Sequence, residues 1–223
     1  MAKVPDLLGT RRKVVVYGCG GHGKVVADLV QLDATLNLLG FLDDGVAVGP
    51  GPLGFKVLGG ATWLESPEAK GVEVAFDLGH NQTRARIWQQ LSDKGVRILT
   101  VVHPHAVVAG TASLGAGTVV MANATINPDA RIGKAAIINT GAVVEHDCEV
   151  GDFAHCSPNS AMGGAARLGM GAWLGLCASV IPGVSVGART VVGAGAAVVK
   201  DLPEDSVAVG VPAKVIPKVA FSP

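Results

Sequence analysis

The chain is poor in rings and in charge. Of its 223 residues, aromatics make up 4% and Asp, Glu, Lys and Arg together 16%. A core with so few rings must be assembled from many small side chains, and the 31 glycines, set among abundant Ala and Val, point the same way. Basic and acidic residues balance at 18 each, so neither a nucleic acid nor an anionic membrane surface is expected as a partner. No apolar run reaches the roughly 18 residues that a bilayer-spanning helix requires, which argues against membrane insertion. The opening Met1-Ala-Lys-Val-Pro-Asp6 lacks the apolar segment of a secretory signal. Four cysteines (Cys19, Cys148, Cys156, Cys177) form no CxxC pair and no metal-ligand spacing. The expectation is a cytoplasmic protein with free thiols and no metal.

Two different periodicities divide what is there. Residues 13–100 alternate strands and helices. Lys13–Tyr17 is a β-branched run leading into Gly18-Cys-Gly-Gly-His-Gly23, with a helix predicted from about His22 to Gln31. A second strand, Leu38–Leu42, ends at Asp43-Asp44, and the glycine- and proline-rich stretch from Gly45 to Gly60 reads as loops. Val72–Phe76 is a third strand, and Asn81 to Lys94 has helical spacing with Ala85, Ile87, Trp88 and Leu91 on one side. Val96–Thr100 reads as a fourth strand. This is the pattern of a small parallel sheet flanked by helices.

From Val108 the period becomes six. Val108, Leu114, Val120, Ile126, Ile132, Ile138, Val144, Val150, Cys156, Met162, Leu168, Leu174, Val180, Val186, Val192 and Val198 are all apolar, without a slip. Four places after each stands a residue no larger than valine, until Leu202 and Pro203 end the series. Neither a helix nor a plain strand has a period of six, and a β-sandwich would need irregularly spaced turns and a two-residue alternation. A solenoid of hexapeptides fits: three short strands per triangular coil, aliphatic residues inside, small residues at the corners, about five coils in all.

That repeat resembles the hexapeptide-repeat acyltransferases, whose prism winds left-handed. Two segments resemble, more narrowly, the family of sialic acid O-acetyltransferases and UDP-4-amino-sugar N-acetyltransferases: Val15-Val-Tyr-Gly-Cys-Gly-Gly-His-Gly-Lys-Val-Val-Ala-Asp28, and Ile138-Asn-Thr-Gly-Ala-Val-Val-Glu-His-Asp-Cys148 continuing to Gly151-Asp-Phe-Ala-His155. Val209-Gly-Val-Pro-Ala-Lys214 is shared more widely among hexapeptide transferases. The resemblance covers residues 13 to 215 and implies a Rossmann-like nucleotide-sugar domain over residues 1–102. A left-handed β-helix acyltransferase domain with a C-terminal tail would occupy 103–223.

Transfer of an acetyl group from acetyl-CoA needs a base, an oxyanion donor and a bound thioester. His146 stands third in its hexapeptide, where the repeat points side chains away from the prism, and a neutral imidazole accepts a proton near pH 7. The resemblance makes it the base, oriented by Asp147. It places His155, also at an outward position, on the thioester or pantetheine arm, and makes Gly164 the oxyanion donor. Asn139 would touch the sugar. Gly175, Ala178, Gly193 and Lys214 would line the CoA groove. At the other end, Gly18-x-Gly20-x-x-Gly23 with Asp43 some twenty residues on has the form of a dinucleotide fingerprint. About 100 residues hold only half of a doubly wound fold, however, and no hydride-transfer site follows, so a nucleotide-sugar fits better than a nicotinamide. On the family's pattern Gly20, Gly21, His22, Gly23 and Lys24 lie near the diphosphate. Asp43 and Asp44 meet ribose or base, and Gly79 and Asn81 close the pocket.

The expected enzyme is therefore an acetyl-CoA-dependent N-acetyltransferase acting on a nucleotide-linked 4-amino-4,6-dideoxy-sugar in polysaccharide or glycan assembly, and the resemblance implies a homotrimer. Two alternatives remain at this point: an O-acetyltransferase on sialic acid or a related sugar, and a non-catalytic trimeric scaffold that binds nucleotide. A zinc hydratase of the same prism is disfavoured. His103 and His105 sit at the solenoid's entry, and the nine-residue gap from His146 to His155 does not match the ligand spacing of that family.

Overall fold

A computed structural model describes residues 11–76 and 78–217. The opening hexapeptide and the last six residues of the tail lie outside the described residues. Contacts divide the chain into one unit ending at residue 77 and a second beginning at Leu78.

The first unit is a five-stranded sheet built on β1 (Arg12–Tyr17), α1 (Gly21–Leu32), β2 (Leu36–Leu42), β3 (Gly49–Pro50), β4 (Lys56–Gly59) and β5 (Glu73–Phe76). The sheet order is β3-β4-β2-β1-β5. All neighbours run parallel except the β3–β4 hairpin. Val14, Val15 and Val16 are wholly buried, because a parallel strand between two others is covered on both faces. The stretch from Gly45 to Gly60, expected as loops, supplies two short strands, β3 at the sheet's edge and β4 next to it. Residues 96–100, expected as a strand, do not join this sheet. Ile98 packs instead with Trp88 against Gly117, where a Cβ would stand 2.8 Å from Ile98 and 2.4 Å from the Trp88 ring.

The second unit is a parallel β-helix carrying one helix, α2 (Asn81–Asp93). Every one of the apolar positions from Val108 to Val198 is the second residue of a two-residue strand. The solenoid starts one strand earlier than the hexapeptide count, at Val101–Val102, whose backbone pairs with Val119–Val120. Its three faces have eight, six and five strands. Residues eighteen apart are stacked in register, as in Ile137↔His155↔Trp173↔Val191. The aliphatic residues and the alanines between them form one buried column, in which each fully enclosed Val, Leu or Ile contributes roughly 1.5–3 kcal/mol.

The corners turn through left-handed backbone. One corner runs Gly117, Ala135, Phe153, Gly171, Arg189, all with φ between 47° and 70°. For a side chain larger than glycine that conformation costs about 1–3 kcal/mol, and a hydrogen bond between coils offsets it. The N–H of Phe153 donates to Lys134 O at 2.9 Å and that of Arg189 to Met170 O at 2.9 Å.

Helix α2 lies along this same corner, and its buried stripe centres on a charge. Arg84 is 1% exposed. Its Nε donates to Ala135 O (2.7 Å), Nη1 to Leu78 O (2.6 Å), and Nη2 to Phe153 O (2.6 Å) and Asn81 Oδ1 (2.8 Å). Burial pushes the guanidinium down to about 9, still charged at neutral pH. Asn81 in turn donates to Gly171 O at 3.0 Å. Two side chains thus tie α2 to three consecutive coils, and this is why α2 and the residues after it cluster with the solenoid, where the sequence placed the division after residue 102.

Replacing Arg84 by Met leaves several buried carbonyls without donors. The urea midpoint of the solenoid's unfolding should fall by the equivalent of about 3–5 kcal/mol. Arg84→Lys should recover only part of it, since an ammonium has three donors in place of a planar fork of five.

Candidate active site

The sequence-predicted residues fall into four places. The first is the corner that joins the six-stranded face to the five-stranded one. Here His146 follows the strand Val143–Val144, and Asp147 adopts φ 59°. That turn points the carboxylate back, and Asp147 Oδ2 accepts from His146 Nδ1 at 2.8 Å. The bond raises the histidine's pKa above its ordinary value, with the charges of Asp147 and Glu145 adding to it. Because Nδ1 is engaged, Nε2 is the nitrogen left to take a proton. One coil on, Gly164 lies against the imidazole: a Cβ there would stand 2.6 Å from His146 Nε2 and Cε1. Only glycine allows the ring to sit where it does.

Two thiols lie near this corner, and neither is a nucleophile. Burial raises the pKa of Cys148 and pushes that of Cys156 up to about 12. Cys148 Sγ donates to Gly163 O at 3.1 Å, and Cys156 packs inside the prism. This chemistry favours direct transfer over an acyl-cysteine intermediate.

The second place is the far edge of the eight-stranded face. Asn139, Gly175 and Gly193 belong to one eighteen-residue column. His155 stands beside that column, its Nε2 3.1 Å from Asn139 Nδ2. Lys214 is on the closing strand Lys214–Ile216, paired through Val209, whose side chain lies against Gly193. Asn139, His155, Gly175, Gly193 and Lys214 therefore share one edge. His155 has the outward repeat position, as expected, yet it is only 6% exposed, because the Trp173 ring of the next coil stacks over it. The expectation for Ala178 is corrected. Its side chain is inside the prism, its N–H donates to Gly175 O and its C=O accepts from Ala161, so nothing of it faces a groove.

Third is the glycine loop after β1. Gly20 is the N-cap of α1 and makes no side-chain cap. Neither Gly20 nor Gly21 has any atom within 4 Å of where a Cβ would stand, and Gly20 has an ordinary φ of −74°. The protein's own packing therefore does not call for glycine at either position, whereas a phosphate approaching the uncapped N–H groups would. His22, Gly23 and Lys24 form the first turn with them. Asp43 accepts from Cys19 N (3.1 Å) and Gly45 N (2.9 Å). Burial opposes its ionisation, but these backbone donors outweigh it and hold the carboxyl below the usual aspartate range. Asp44 bonds the Tyr17 hydroxyl and accepts from Ala61 N at 2.8 Å. Both acids shape the loop, and each oxygen keeps a lone pair for a ligand hydroxyl.

The fourth place is the start of α2, where Asn81 lines a cleft but has both ends of its amide engaged within the protein. It is 8% exposed, and its amide is taken up by Gly171, Ala172 and Arg84. It is a structural clamp. Gly79 offers its carbonyl to the same guanidinium at 3.3 Å. Arg84 and Trp173 were missed by sequence reasoning. An arginine on the apolar side of a helix and a tryptophan at an outward repeat position were the available signals.

His146 with Gly164 and His155 with Asn139 are not brought together within one chain. A corner of a triangular prism lies opposite the third face, so the two histidines are on opposite sides of the solenoid. Among the described residues no cluster of three or more His, Cys, Asp or Glu side chains could hold a metal. No helix among them is long and apolar enough to cross a membrane.

The family model described as the PglD N-terminal domain matches residues 13–91. The chain is 37% identical over 121 residues to the UDP-N-acetylbacillosamine N-acetyltransferase of Bacillus subtilis, a match covering 50% of this chain and 52% of that protein. The chain thus spans about half the length of that relative, and other curated relatives are matched over 23–34% of theirs. Coverage is near complete for several solved structures. PerB from Caulobacter crescentus, solved with CoA and GDP-perosamine, is 41% identical with a TM-score of 0.86 over 92% of this chain and 97% of its own. The acetyltransferase domain of PglB from Neisseria gonorrhoeae, in complex with acetyl coenzyme A, is 34% identical with a TM-score of 0.87 over 92% and 100%. This chain belongs to the hexapeptide-repeat sugar N-acetyltransferase family.

Proposed function

We propose that this protein transfers the acetyl group of acetyl-CoA to the amino group of a nucleotide-linked 4-amino-4,6-dideoxy-sugar. The observation that carries this reading is the His146–Asp147 pair, bonded at 2.8 Å with its ring held against Gly164. An N–H is acidified as the amine attacks the thioester carbon. His146 Nε2 takes that proton, and Asp147 stabilises the imidazolium that results. The Gly164 N–H donates to the carbonyl oxygen as negative charge collects there. The C–S bond then breaks, and the leaving thiolate takes the proton held on His146 Nε2, giving free CoA and the neutral base. His155 and Asn139 hold the thioester end and the acceptor, and Gly175, Gly193 and Lys214 line the path of the pantetheine arm and phosphates. Gly20 to Lys24 receive the sugar nucleotide's diphosphate, with Asp43 and Asp44 toward its ribose or base. The cytoplasm supplies both substrates. The intact glycine loop favours this acceptor over free sialic acid.

We propose a homotrimer on the same reading. The outward residues of the six-stranded face, Val107, Thr125, Val143, Ala161, Ser179 and Ala197, are small and uncharged, suited to lie against another copy. A site that uses both His146 and His155 needs two copies, because one prism holds them on opposite sides.

Thiol release with acetyl-CoA against UDP-, dTDP- and GDP-4-amino-4,6-dideoxy-sugars and free sialic acid should show turnover of one nucleotide amino-sugar. His146→Ala should reduce kcat by roughly 10²–10⁴-fold. Turnover of sialic acid alone would overturn the N-acetyltransferase reading. Since His146 acts as the neutral base, activity is lost as pH falls through its raised pKa. Removing the charge with Asp147→Asn should shift the acid limb of the kcat/KM profile to lower pH. His146→Ala and His155→Ala chains, each inactive alone, should regain activity when assembled together, because a mixed trimer contains one intact pairing. Mixed trimers without activity would rule out a shared site.

A further inference from the structure

We infer that Trp173 is a positioning residue for the acetyl donor, acting through His155. This rests on the reading that His155 contacts acetyl-CoA. Trp173 stands at an outward position of the eight-stranded face, in register directly over His155. The two rings are stacked, with centroids 5.5 Å apart and planes within 10°. The indole is itself fixed: its Nε1–H donates to Ser157 Oγ at 2.7 Å. On its other flank the imidazole meets Asn139 at 3.1 Å. His155 is therefore held by three consecutive coils, Asn139 from one, its own strand from the next and Trp173 from the third.

The backbone under both rings is pinned as well. Arg84 Nη2 donates to the carbonyls of Phe153 (2.6 Å) and Ala154 (3.3 Å), the two residues before His155. Asn81 Nδ2 donates to Ala172 O at 3.3 Å, the residue before Trp173. The buried guanidinium thus does more than attach α2. It fixes the start of the strand that bears the histidine.

The indole also acts as a wall. It helps line a cleft of about 290 Å³ at the start of α2, together with Phe153, Met170, Val191 and Gln82. Were Trp173 a small residue, as Val191 is in the coil above, that cleft would open onto His155. The imidazole would lose its stacking partner, gain rotamer freedom and be wetted. A thioester carbonyl that depends on one ring nitrogen tolerates such freedom poorly, since preorganised donors act only when held in place.

Acetyl-CoA affinity, measured by calorimetry, provides the test, because it does not depend on the acceptor. Trp173→Leu should weaken binding by roughly three- to ten-fold, the range of one aromatic stacking contact. Trp173→Phe keeps the stack without the indole N–H and should restore most of the affinity. His155→Ala should weaken binding by itself, and the double variant His155→Ala with Trp173→Leu should be no weaker than His155→Ala alone. Additive losses in the double variant would overturn the proposal, and so would Trp173→Leu binding as the wild type does while His155→Ala does not. If instead His155→Ala binds acetyl-CoA normally, the assignment of His155 itself falls. Thermal unfolding of each variant, followed by circular dichroism, separates these outcomes from loss of fold, for which an unchanged Tm is expected.

Discussion

The stacking of each residue on the one eighteen places later is the constraint from which the solenoid unit follows. Once three two-residue strands and three tight corners close a coil, the next coil can bond to it only in that register. The interior then has to be filled by one aliphatic residue per strand and one small residue per corner, or the coil does not close. The corners tolerate Ala135, Phe153 and Arg189 in left-handed backbone because each N–H there finds a carbonyl of the coil before. A local strain of one residue is thus balanced by a bond to another coil, and no coil is stable alone.

The same register builds the chemistry. The hydrogen-bonded pair is made of neighbours in sequence, His146 and Asp147, but the space for the imidazole comes from Gly164, one coil away. His155 is positioned from the coils on either side by Asn139 and Trp173. Residues that act together are therefore spaced at sixteen to eighteen positions, a separation at which no local motif would be sought. The prism also imposes a separation. A corner and the face opposite it lie on different sides of one prism, so the proposed use of both His146 and His155 calls for more than one copy.

Helix α2 shows how a polar side chain can organise a nearly apolar repeat. The corner it covers exposes backbone carbonyls of successive coils, and these need donors if a helix is to exclude water from them. Arg84 and Asn81 supply those donors. A leucine in place of Arg84 would match the helix's apolar spacing and leave the carbonyls unsatisfied.

Much of this was legible in the sequence, for a physical reason. A period of six is set by short-range geometry repeated many times, so the solenoid and its inward residues could be read without coordinates, although the coil runs on past Leu202, where Val207–Val209 still stacks in parallel on Val191 and Val192. The His146–Asp147 pair and the glycine turn after β1 were readable too, because each is formed by neighbours a few residues apart. What the tertiary structure alone decided concerns partners far apart in the chain. It buried His155 under Trp173, turned Ala178 inward, and used Asn81 as a clamp. It took two short strands from a glycine-rich stretch that had the composition of a loop. It also carried residues 96–100 to the base of the solenoid. Each of these outcomes depends on which surface a segment meets after the coils have stacked, and that surface does not exist until residues sixteen to ninety positions apart are brought into contact.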